Sequence, residues 1–272
     1  MEIKDIAEDN IHGSETLSME LVKTCLNYFK SDLNFKNELD YLKIKKKEMV
    51  QLINVANLIL NFKNEHDFIN LINDLENSKS RAILSTKGLL KEKVVTISWS
   101  SLVQESLIIN KDSIAEIHVL ESRPKNEGIK FAEFLSEQGF NVKLYVDAAI
   151  YHAIDKNSTI LVGMDAILED LSLINKIGTY ALALASKHKG SKFYSIGTKY
   201  KISKEWIEFI NHPYNEIYLR NLNNQNYYFD ITSSDLIDSY IMDFGIFNKS
   251  SFSSLGEILR KIGLDFFYRK QI

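Results

Sequence analysis

The fold class is decided by the stretch Thr159-Ile160-Leu161-Val162-Gly163-Met164-Asp165-Ala166. A short apolar run that ends at a glycine is typical of a buried strand, and here a carboxylate follows it closely. The chain then reads Leu173-Ile174-Asn175-Lys176-Ile177-Gly178-Thr179-Tyr180 and enters an Ala/Leu-rich stretch that predicts a helix. Ligands bind at the carboxyl ends of strands in open α/β sheets, and anions bind at helix N-termini. We therefore expect Asp165 and Lys176 to flank one phosphate-binding pocket, with Asn175, Lys176 and Thr179 at the opening of the helix.

Strand and helix patterns alternate on both sides of this stretch. Strands are predicted over 94–97, 114–120, 142–146, 159–162 and 192–196, and helices over 99–109, 127–138 and 176–187. Such alternation predicts a parallel sheet wrapped by helices. The predicted fold is α/β, with a helical N-terminal domain over residues 1–90. A Rossmann-like parallel sheet with flanking helices follows over 91–272, as a domain for ligand binding and oligomerisation.

The helical half rests on apolar residues that recur at spacings of three and four between Glu15 and Arg81, without a strand pattern between them. Ser14 is a candidate cap for the first helix, and amphipathic segments are predicted over 35–62 and 66–79. The run Lys45-Lys46-Lys47 is expected on a solvated helix face.

Composition excludes several classes of function. The 272 residues are 45% hydrophobic and carry a net charge of −3, so we expect a soluble protein that does not bind nucleic acid directly. Neither a signal peptide nor a run of about 18 apolar residues is found, which predicts a cytoplasmic protein without a membrane span. Cys25 is the only cysteine, so neither a disulfide framework nor a thiolate metal site is expected. The glycine patterns of dinucleotide and ATP sites are missing, and we expect no cofactor.

Further polar residues follow the predicted strands. Arg123 could clamp a phosphate or a carboxylate, or could form a salt bridge between domains or subunits, and the sequence favours neither. Asp147 ends the third strand and is expected to cap the next helix. The serine-rich turn Ser98-Trp99-Ser100-Ser101 offers hydroxyl and N–H groups to an anion, although such a turn is also ordinary helix capping.

Five segments and a C-terminal stretch, taken together, resemble the translation initiation factor 2B alpha/beta/delta subunit family. They are Glu121-Ser122-Arg123-Pro124, Glu127-Gly128, Asp147-Ala148-Ala149, Val162-Gly163-Met164-Asp165-Ala166, Asn175-Lys176-Ile177-Gly178-Thr179-Tyr180 and the stretch from Phe229 to Ile237. That family also contains ribose-1,5-bisphosphate and methylthioribose-1-phosphate isomerases. The resemblance is strong over about 94–245 and loose over the helical half.

The resemblance implies roles for particular residues. Asp165 matches the catalytic aspartate of the isomerases, and Ser98 occupies the position of their catalytic cysteine. Residues at positions that bind the ligand are Gly13, Ser14, Ser100, Ser101, Asn175, Lys176 and Lys201, and Arg123 is a further candidate. Besides Ser98, the sequence departs from the pattern of the isomerases in two places. The acidic Glu15 stands where their phosphate loop is expected, and their Arg-Pro-Thr motif has no counterpart here.

Three hypotheses follow from this resemblance. The first is a non-catalytic regulatory protein that binds a phosphorylated sugar or a nucleoside monophosphate, and that has a translation initiation factor as a candidate partner. The second is an aldose–ketose isomerase that acts on sugar phosphates, and the third is an oligomerisation module with a vestigial pocket. Because a serine hydroxyl needs a neighbouring base where a thiol does not, Ser98 favours the regulatory role. A homodimer or hexamer is expected from an apolar C-terminal region that contains Ile241, Phe244, Ile246, Phe247, Phe252, Leu255, Leu259, Phe266, Phe267 and Tyr268.

Overall fold

The computed structural model describes residues 2–9, 11–203, 207, 225–251 and 254–261. The chain begins with helices alone, as predicted: α1 (Ile3–Glu8), α2 (Ser14–Lys30), α3 (Lys36–Lys45), α4 (Val50–Ile59) and α5 (Glu65–Leu84). Their apolar faces share one core, in which Leu21, Leu52 and Phe68 are fully buried. No described helix is both long and apolar enough to cross a lipid bilayer.

The helical half differs from the prediction in three places. The predicted segment 35–62 is two helices, α3 and α4, because the chain turns over 46–49. Gly13 rather than Ser14 stands at the N-cap of α2, and Ser14 is its first residue. Lys46 is buried and donates to the carbonyl oxygen of Asp9, so the expectation of a solvated face was wrong for this lysine.

The second half of the chain is built on a seven-stranded sheet. Its strands are β1 (Glu92–Thr96), β2 (Ile114–Leu120), β3 (Val142–Tyr145), β4 (Ser158–Val162), β7 (Lys192–Ile196), β9 (Ser239–Met242) and β10 (Gly245–Phe247). They lie in the order β10-β9-β7-β4-β1-β2-β3, and all neighbours are parallel except the edge pair of β9 and β10. The predicted α/β class with a parallel sheet is confirmed.

Helices cover both faces of this sheet. They are α6 (Ser101–Ile109), α7 (Glu127–Glu137), α8 (Ile150–Ala153), α9 (Thr179–Lys189) and α10 (Leu255–Lys261). Neighbouring residues of one strand belong to different cores: Val94 packs with α6 and α7, and Val95 packs with α9 and α10. This alternation is what a strand buried on both faces requires.

A small antiparallel sheet corrects the prediction for the segment around Lys176. Strands β5 (Ala166–Ile167), β6 (Leu173–Lys176) and β8 (Phe229–Thr232) form it in the order β5-β6-β8. Asn175 and Lys176 therefore end a strand, and α9 begins only at Thr179, after Gly178 with φ +98°. The apolar run Leu173-Ile174 is buried in this sheet, which is why strand pairing prevails over a helix that starts at Lys176.

Most of the apolar C-terminal residues that the structure describes belong to the interior. Ile241, Phe247, Leu255 and Leu259 are buried in the cores on either side of the sheet, whereas Ile246 is 47% exposed. Phe252, Phe266, Phe267 and Tyr268 lie outside the described residues. The apolar pattern from Ile241 onward thus reflects the packing of this half more than an exposed interface.

The helices are fastened to the α/β half through the turn over Lys199–Lys201. Tyr200 is buried in the helical core, and its hydroxyl donates to Asp74. Asn54 of α4 donates from Nδ2 to the carbonyl oxygens of Tyr200 at 2.8 Å and Ile202 at 2.9 Å. Because Lys201 lies between those two carbonyls, α4 fixes the position of this lysine.

Replacement of Asn54 by alanine should destabilise the protein. The change leaves two partly buried carbonyl oxygens without their donor, which costs about 1–3 kcal/mol of unfolding free energy. Urea denaturation followed by circular dichroism measures this loss. Asn61→Ala is the control, because Asn61 is exposed and its side-chain amide donates to the carbonyl oxygen of Asn57, one turn earlier. It should change stability by less than about 0.5 kcal/mol. Equal stability of the two variants would contradict this role of Asn54.

Candidate functional site

The candidate site lies where the strand order reverses. The chain proceeds from β1 to β2 on one side and from β4 to β7 on the other, and β1 and β4 are neighbours. A crevice opens at the carboxyl ends of two such strands. The turn with Ser98 and Ser100 follows β1, and Gly163 and Asp165 follow β4. A Cβ atom on Gly163 would lie 2.9 Å from both Cβ and Oγ of Ser100, so only glycine allows these two turns to approach so closely.

Ser98 is held in an uncommon conformation. Its φ is +68°, in the left-handed region that non-glycine residues seldom adopt. Its N–H donates to Oγ of Ser122 at 2.7 Å, and its hydroxyl donates to Oε1 of Glu127 at 2.9 Å. The sequence indicated no basic partner for Ser98 because no histidine is nearby. The structure corrects this, since the carboxylate of Glu127 accepts a hydrogen bond from its hydroxyl.

The position of Glu127 follows from Gly128. A Cβ atom at Gly128 would lie 1.8 Å from the carbonyl oxygen of Leu120 and 2.6 Å from Oγ of Ser122. The first turn of α7 can therefore press against the end of β2 only because residue 128 is glycine. Glu127, the first residue of α7, is in this way directed toward the turn after β1.

Lys176 brings a buried positive charge to the same place. It is 4% exposed, and its Nζ lies 2.8 Å from Oε1 of Glu127. The contact lacks hydrogen-bond geometry, and neither Nζ of Lys176 nor Oε2 of Glu127 has a hydrogen-bond partner among the described residues. Tyr228 lies beside them, with its ring centre 5.9 Å from Nζ. Buried donors and acceptors are almost always satisfied, so this pair has hydrogen-bonding capacity for a ligand.

Asn175 and Asp230 shape the entrance to α9. Asn175 donates from Nδ2 to Oγ1 of Thr179 at 3.0 Å, and Thr179 donates to the carbonyl oxygen of Lys176 at 2.6 Å. Oδ2 of Asp230 accepts from the N–H groups of Gly178 at 2.8 Å and Tyr180 at 3.2 Å. Burial raises the pKa of Asp230 to about 6, although these two hydrogen bonds favour its charged form. Both side chains thus fix the turn that carries Lys176.

Asp165 lies between Lys176 and Lys201. Its N–H donates to the carbonyl oxygen of Ile174 at 2.9 Å, and the register of β5 with β6 continues to Asn175 beside it. On the other side, Ile167 pairs in parallel with Ile202, which brings Lys201 alongside β5. Burial raises the pKa of Asp165 to about 6, and the positive charges of Lys201 and Lys176 limit the rise. A carboxyl group with this pKa can exchange a proton near neutral pH.

Lys201 is paired with a residue of the helical half. Its buried Nζ lies 3.4 Å from Oε1 of Glu15, and Gln51 of α4 donates to Oε2 of Glu15 at 3.0 Å. Oε1 of Glu15 has no hydrogen-bond partner among the described residues. The acidic side chain in the predicted phosphate loop therefore neutralises one of the two buried lysines of the site, Lys176 and Lys201.

The remaining predicted residues have these surroundings. Ser100 is the N-cap of α6 and accepts from the N–H of Val103 at 3.5 Å, and Ser101 is the first residue of that helix. Gly13 and Ser14 begin α2 next to Glu15, and Gly13 is exposed. The guanidinium of Arg123 donates to Oδ1 of Asn126 at 3.5 Å, within its own loop.

Asp147 does not cap the next helix. Its carboxylate accepts from the N–H groups of Ser122 at 2.9 Å and Arg123 at 2.7 Å. It therefore holds the loop after β2 from the neighbouring strand end. The expected helix cap was wrong, because the carboxylate accepts from the N–H groups of this loop instead.

Glu127 and Glu15 are the two residues whose contacts in the site the sequence did not reveal. Glu127 stands at the start of the helix after β2, one strand away from the Ser98 turn. A carboxylate at a helix N-terminus beside a serine-rich turn was a usable signal for it. The pairing of Glu15 with Lys201 joins residues 186 positions apart, and nothing local in the sequence indicates it.

The raised pKa of Asp165 predicts a pH-dependent effect of Asp165→Asn. The folded state binds more protons than the unfolded chain between pH 3.8 and about 6, so the charged carboxylate lowers wild-type stability above pH 6. The variant should exceed the wild type by up to about 3 kcal/mol at pH 7.5, and the difference should vanish near pH 4. Thermal unfolding of both proteins across this range measures it. A constant difference at every pH would contradict the assignment.

Comparison with known proteins gives relatives of two kinds. Translation initiation factor eIF2B subunit alpha from Dictyostelium discoideum is 34% identical over 40% of this chain and 32% of its own length. A putative translation initiation factor eIF-2B subunit 2-like from Pyrococcus furiosus is 30% identical over 56% of each chain. Ribose 1,5-bisphosphate isomerase from Methanocaldococcus jannaschii is 30% identical over 48% of this chain and 46% of its own. The matched parts thus span less than two thirds of these relatives.

Solved structures share the fold over nearly the whole chain. A translation initiation factor eIF-2B from Pyrococcus horikoshii superposes with a TM-score of 0.78 at 22% identity, covering 90% of this chain and 94% of that one. A 5-methylthioribose 1-phosphate isomerase from the same organism gives 0.75 at 19% identity, over 96% and 86%. The sequence profile of the initiation factor 2 subunit family matches residues 10–249. This match covers most of the chain, which therefore belongs to the initiation factor 2 subunit family.

Proposed function

We propose that this chain is a non-catalytic regulatory protein of the initiation-factor-2B type. It binds a phosphorylated sugar or a nucleoside monophosphate in the crevice between β1 and β4. The observation that carries this proposal is the buried ammonium of Lys176, which is paired with Glu127 but makes no hydrogen bond of good geometry among the described residues. A phosphate oxygen supplies such an acceptor, and the N-terminus of α6 with Ser100 and Ser101 adds N–H and hydroxyl donors.

The state of Ser98 supports a role without catalysis. Its hydroxyl donates to Glu127, and that carboxylate is in turn in contact with Lys176. A hydroxyl in this arrangement has a far higher pKa than the thiol that stands at this position in the isomerases, so it is a poor acid or base near neutrality. Ser98 therefore orients Glu127 and leaves Asp165 without a thiol partner.

The alternative is a sugar-phosphate isomerase of the ribose-1,5-bisphosphate isomerase type. One observation favours it: the pKa of Asp165 is raised to about 6, which suits a group that transfers protons at neutral pH. Relatives named as ribose 1,5-bisphosphate and methylthioribose-1-phosphate isomerases are consistent with it. Catalysis would then rest on Asp165 and Glu127 rather than on a thiol.

The proposal extends to assembly and partners. We infer a cytoplasmic homodimer or hexamer that acts with a translation initiation factor. A solved structural neighbour is a tetrameric eIF2B-beta2-delta2 complex from C. thermophilum, with a TM-score of 0.71 at 15% identity over 89% of each chain. Light scattering that shows only monomers at micromolar concentration would contradict the oligomer.

Lys176→Ala should weaken the binding of a phosphorylated ligand. The loss of hydrogen bonds to a charged phosphate costs about 1.5–3 kcal/mol of binding free energy. Isothermal titration calorimetry with ribose 5-phosphate and adenosine monophosphate measures this change. Lys192→Ala is the control, because Lys192 pairs with Asp238 at the opposite end of β7 and is 65% exposed. Unchanged affinity in Lys176→Ala would place the phosphate site elsewhere.

Isomerase activity should be absent or weak. Conversion of ribose 1,5-bisphosphate and methylthioribose 1-phosphate is followed by NMR with wild type, Ser98→Cys and Asp165→Asn. Since a positioned base contributes about 10²–10⁴-fold in rate, only Ser98→Cys is expected to gain activity. Ordinary turnover by the wild type that Asp165→Asn abolishes would replace the regulatory proposal with the isomerase.

A further inference from the structure

A line of alternating charges crosses the crevice. At one end Glu127 pairs with Lys176 at 2.8 Å, and at the other end Lys201 pairs with Glu15 at 3.4 Å. Asp165, in the middle, interacts electrostatically with both lysines. Four of these residues belong to the α/β half, and Glu15 alone belongs to the helical half. The two buried lysines are thus accompanied by three carboxyl groups.

The two ends of this line differ in what they offer a ligand. At the Lys176 end the ammonium has unused donors. Gly163 lies against Ser100 at the N-terminus of α6 and also faces Asn175, the residue before Lys176. At the Lys201 end the ammonium faces Glu15, which α2 and Gln51 hold in place. Glu15 also stands in the first turn of α2, where the helix dipole stabilises a negative charge.

Binding of a second phosphate beside Glu15 would be electrostatically unfavourable. It would approach a carboxylate whose Oε1 is buried and has no donor among the described residues other than the lysine at ion-pair distance. Like charges placed together in an interface are strongly unfavourable. A ligand hydroxyl, in contrast, can donate to this oxygen and relieve its missing hydrogen bond.

We propose that Glu15 determines the specificity of the crevice: it selects sugars with a single phosphate at the Lys176 end and a hydroxyl at the Glu15 end, and it rejects bisphosphates. This inference rests on the proposed sugar-phosphate site and deepens it. Lys201 is then a positioning residue that holds Glu15, and not a phosphate ligand.

The experiment compares the affinity for one phosphate with the affinity for two. Calorimetric titrations of the full chain use ribose 1-phosphate, ribose 5-phosphate and ribose 1,5-bisphosphate. The wild type should bind at least one monophosphate about 10-fold or more tightly than the bisphosphate. Glu15→Gln should reduce that ratio by about 10-fold or more, through tighter binding of the bisphosphate. Glu20→Gln is the matched control, because it removes a carboxylate from the same helix at a 38% exposed position and should leave the ratio unchanged.

The outcomes separate this inference from the proposed function. Equal binding of mono- and bisphosphate by the wild type overturns the specificity role while it supports the phosphate site, and this arm needs no variant. The specificity role is also overturned if Glu15→Gln unfolds with a normal thermal transition but leaves the ratio of monophosphate to bisphosphate affinity unchanged. If the protein binds none of the three sugars and no adenosine monophosphate, the proposed function itself is contradicted.

Discussion

The contact between Lys176 and Glu127 is the interaction on which the rest of the site depends. A lysine as buried as this one is strongly unfavourable unless a carboxylate accompanies it. The small sheet of β5, β6 and β8 delivers the lysine, and the close fit of Gly128 against β2 delivers the carboxylate. Ser98 then donates its hydroxyl to the same carboxylate oxygen. The strand order, the close fits at Gly128 and Gly163, and the turn with Ser98 therefore all act on this one charged pair.

This arrangement explains how one fold suits both a regulator and an isomerase. The crevice between β1 and β4 keeps a buried ammonium and a carboxyl group whose pKa lies near 6, and both are useful for binding a phosphorylated sugar. Catalysis needs in addition a second group that exchanges protons near neutrality. In our proposal Ser98 takes the place of that group, and in the structure its hydroxyl donates to Glu127.

Much of the fold could be predicted from the sequence, because its patterns are local. The strands Ile114–Leu120 and Lys192–Ile196 were predicted at their observed bounds, since apolar runs between polar turns are specific for buried strands. The segment Leu173–Lys176 was predicted less well, because its strand depends on pairing with Phe229–Thr232, more than fifty residues later. The residues of the site were indicated by strand ends. The pairing of Lys201 with Glu15 could not be predicted from the sequence, because it depends on how α4 holds the turn over Lys199–Lys201.

We propose above all that the crevice at Lys176 binds a phosphate group. A crystal structure of the protein grown with saturating ribose 5-phosphate tests it most directly. We expect density for the phosphate within hydrogen-bond distance of Nζ of Lys176 and of the α6 N-terminus at Ser100 and Ser101, with sugar hydroxyls toward Asp165. Density for the sugar phosphate elsewhere on the molecule, with Lys176 still in contact only with Glu127, would contradict it.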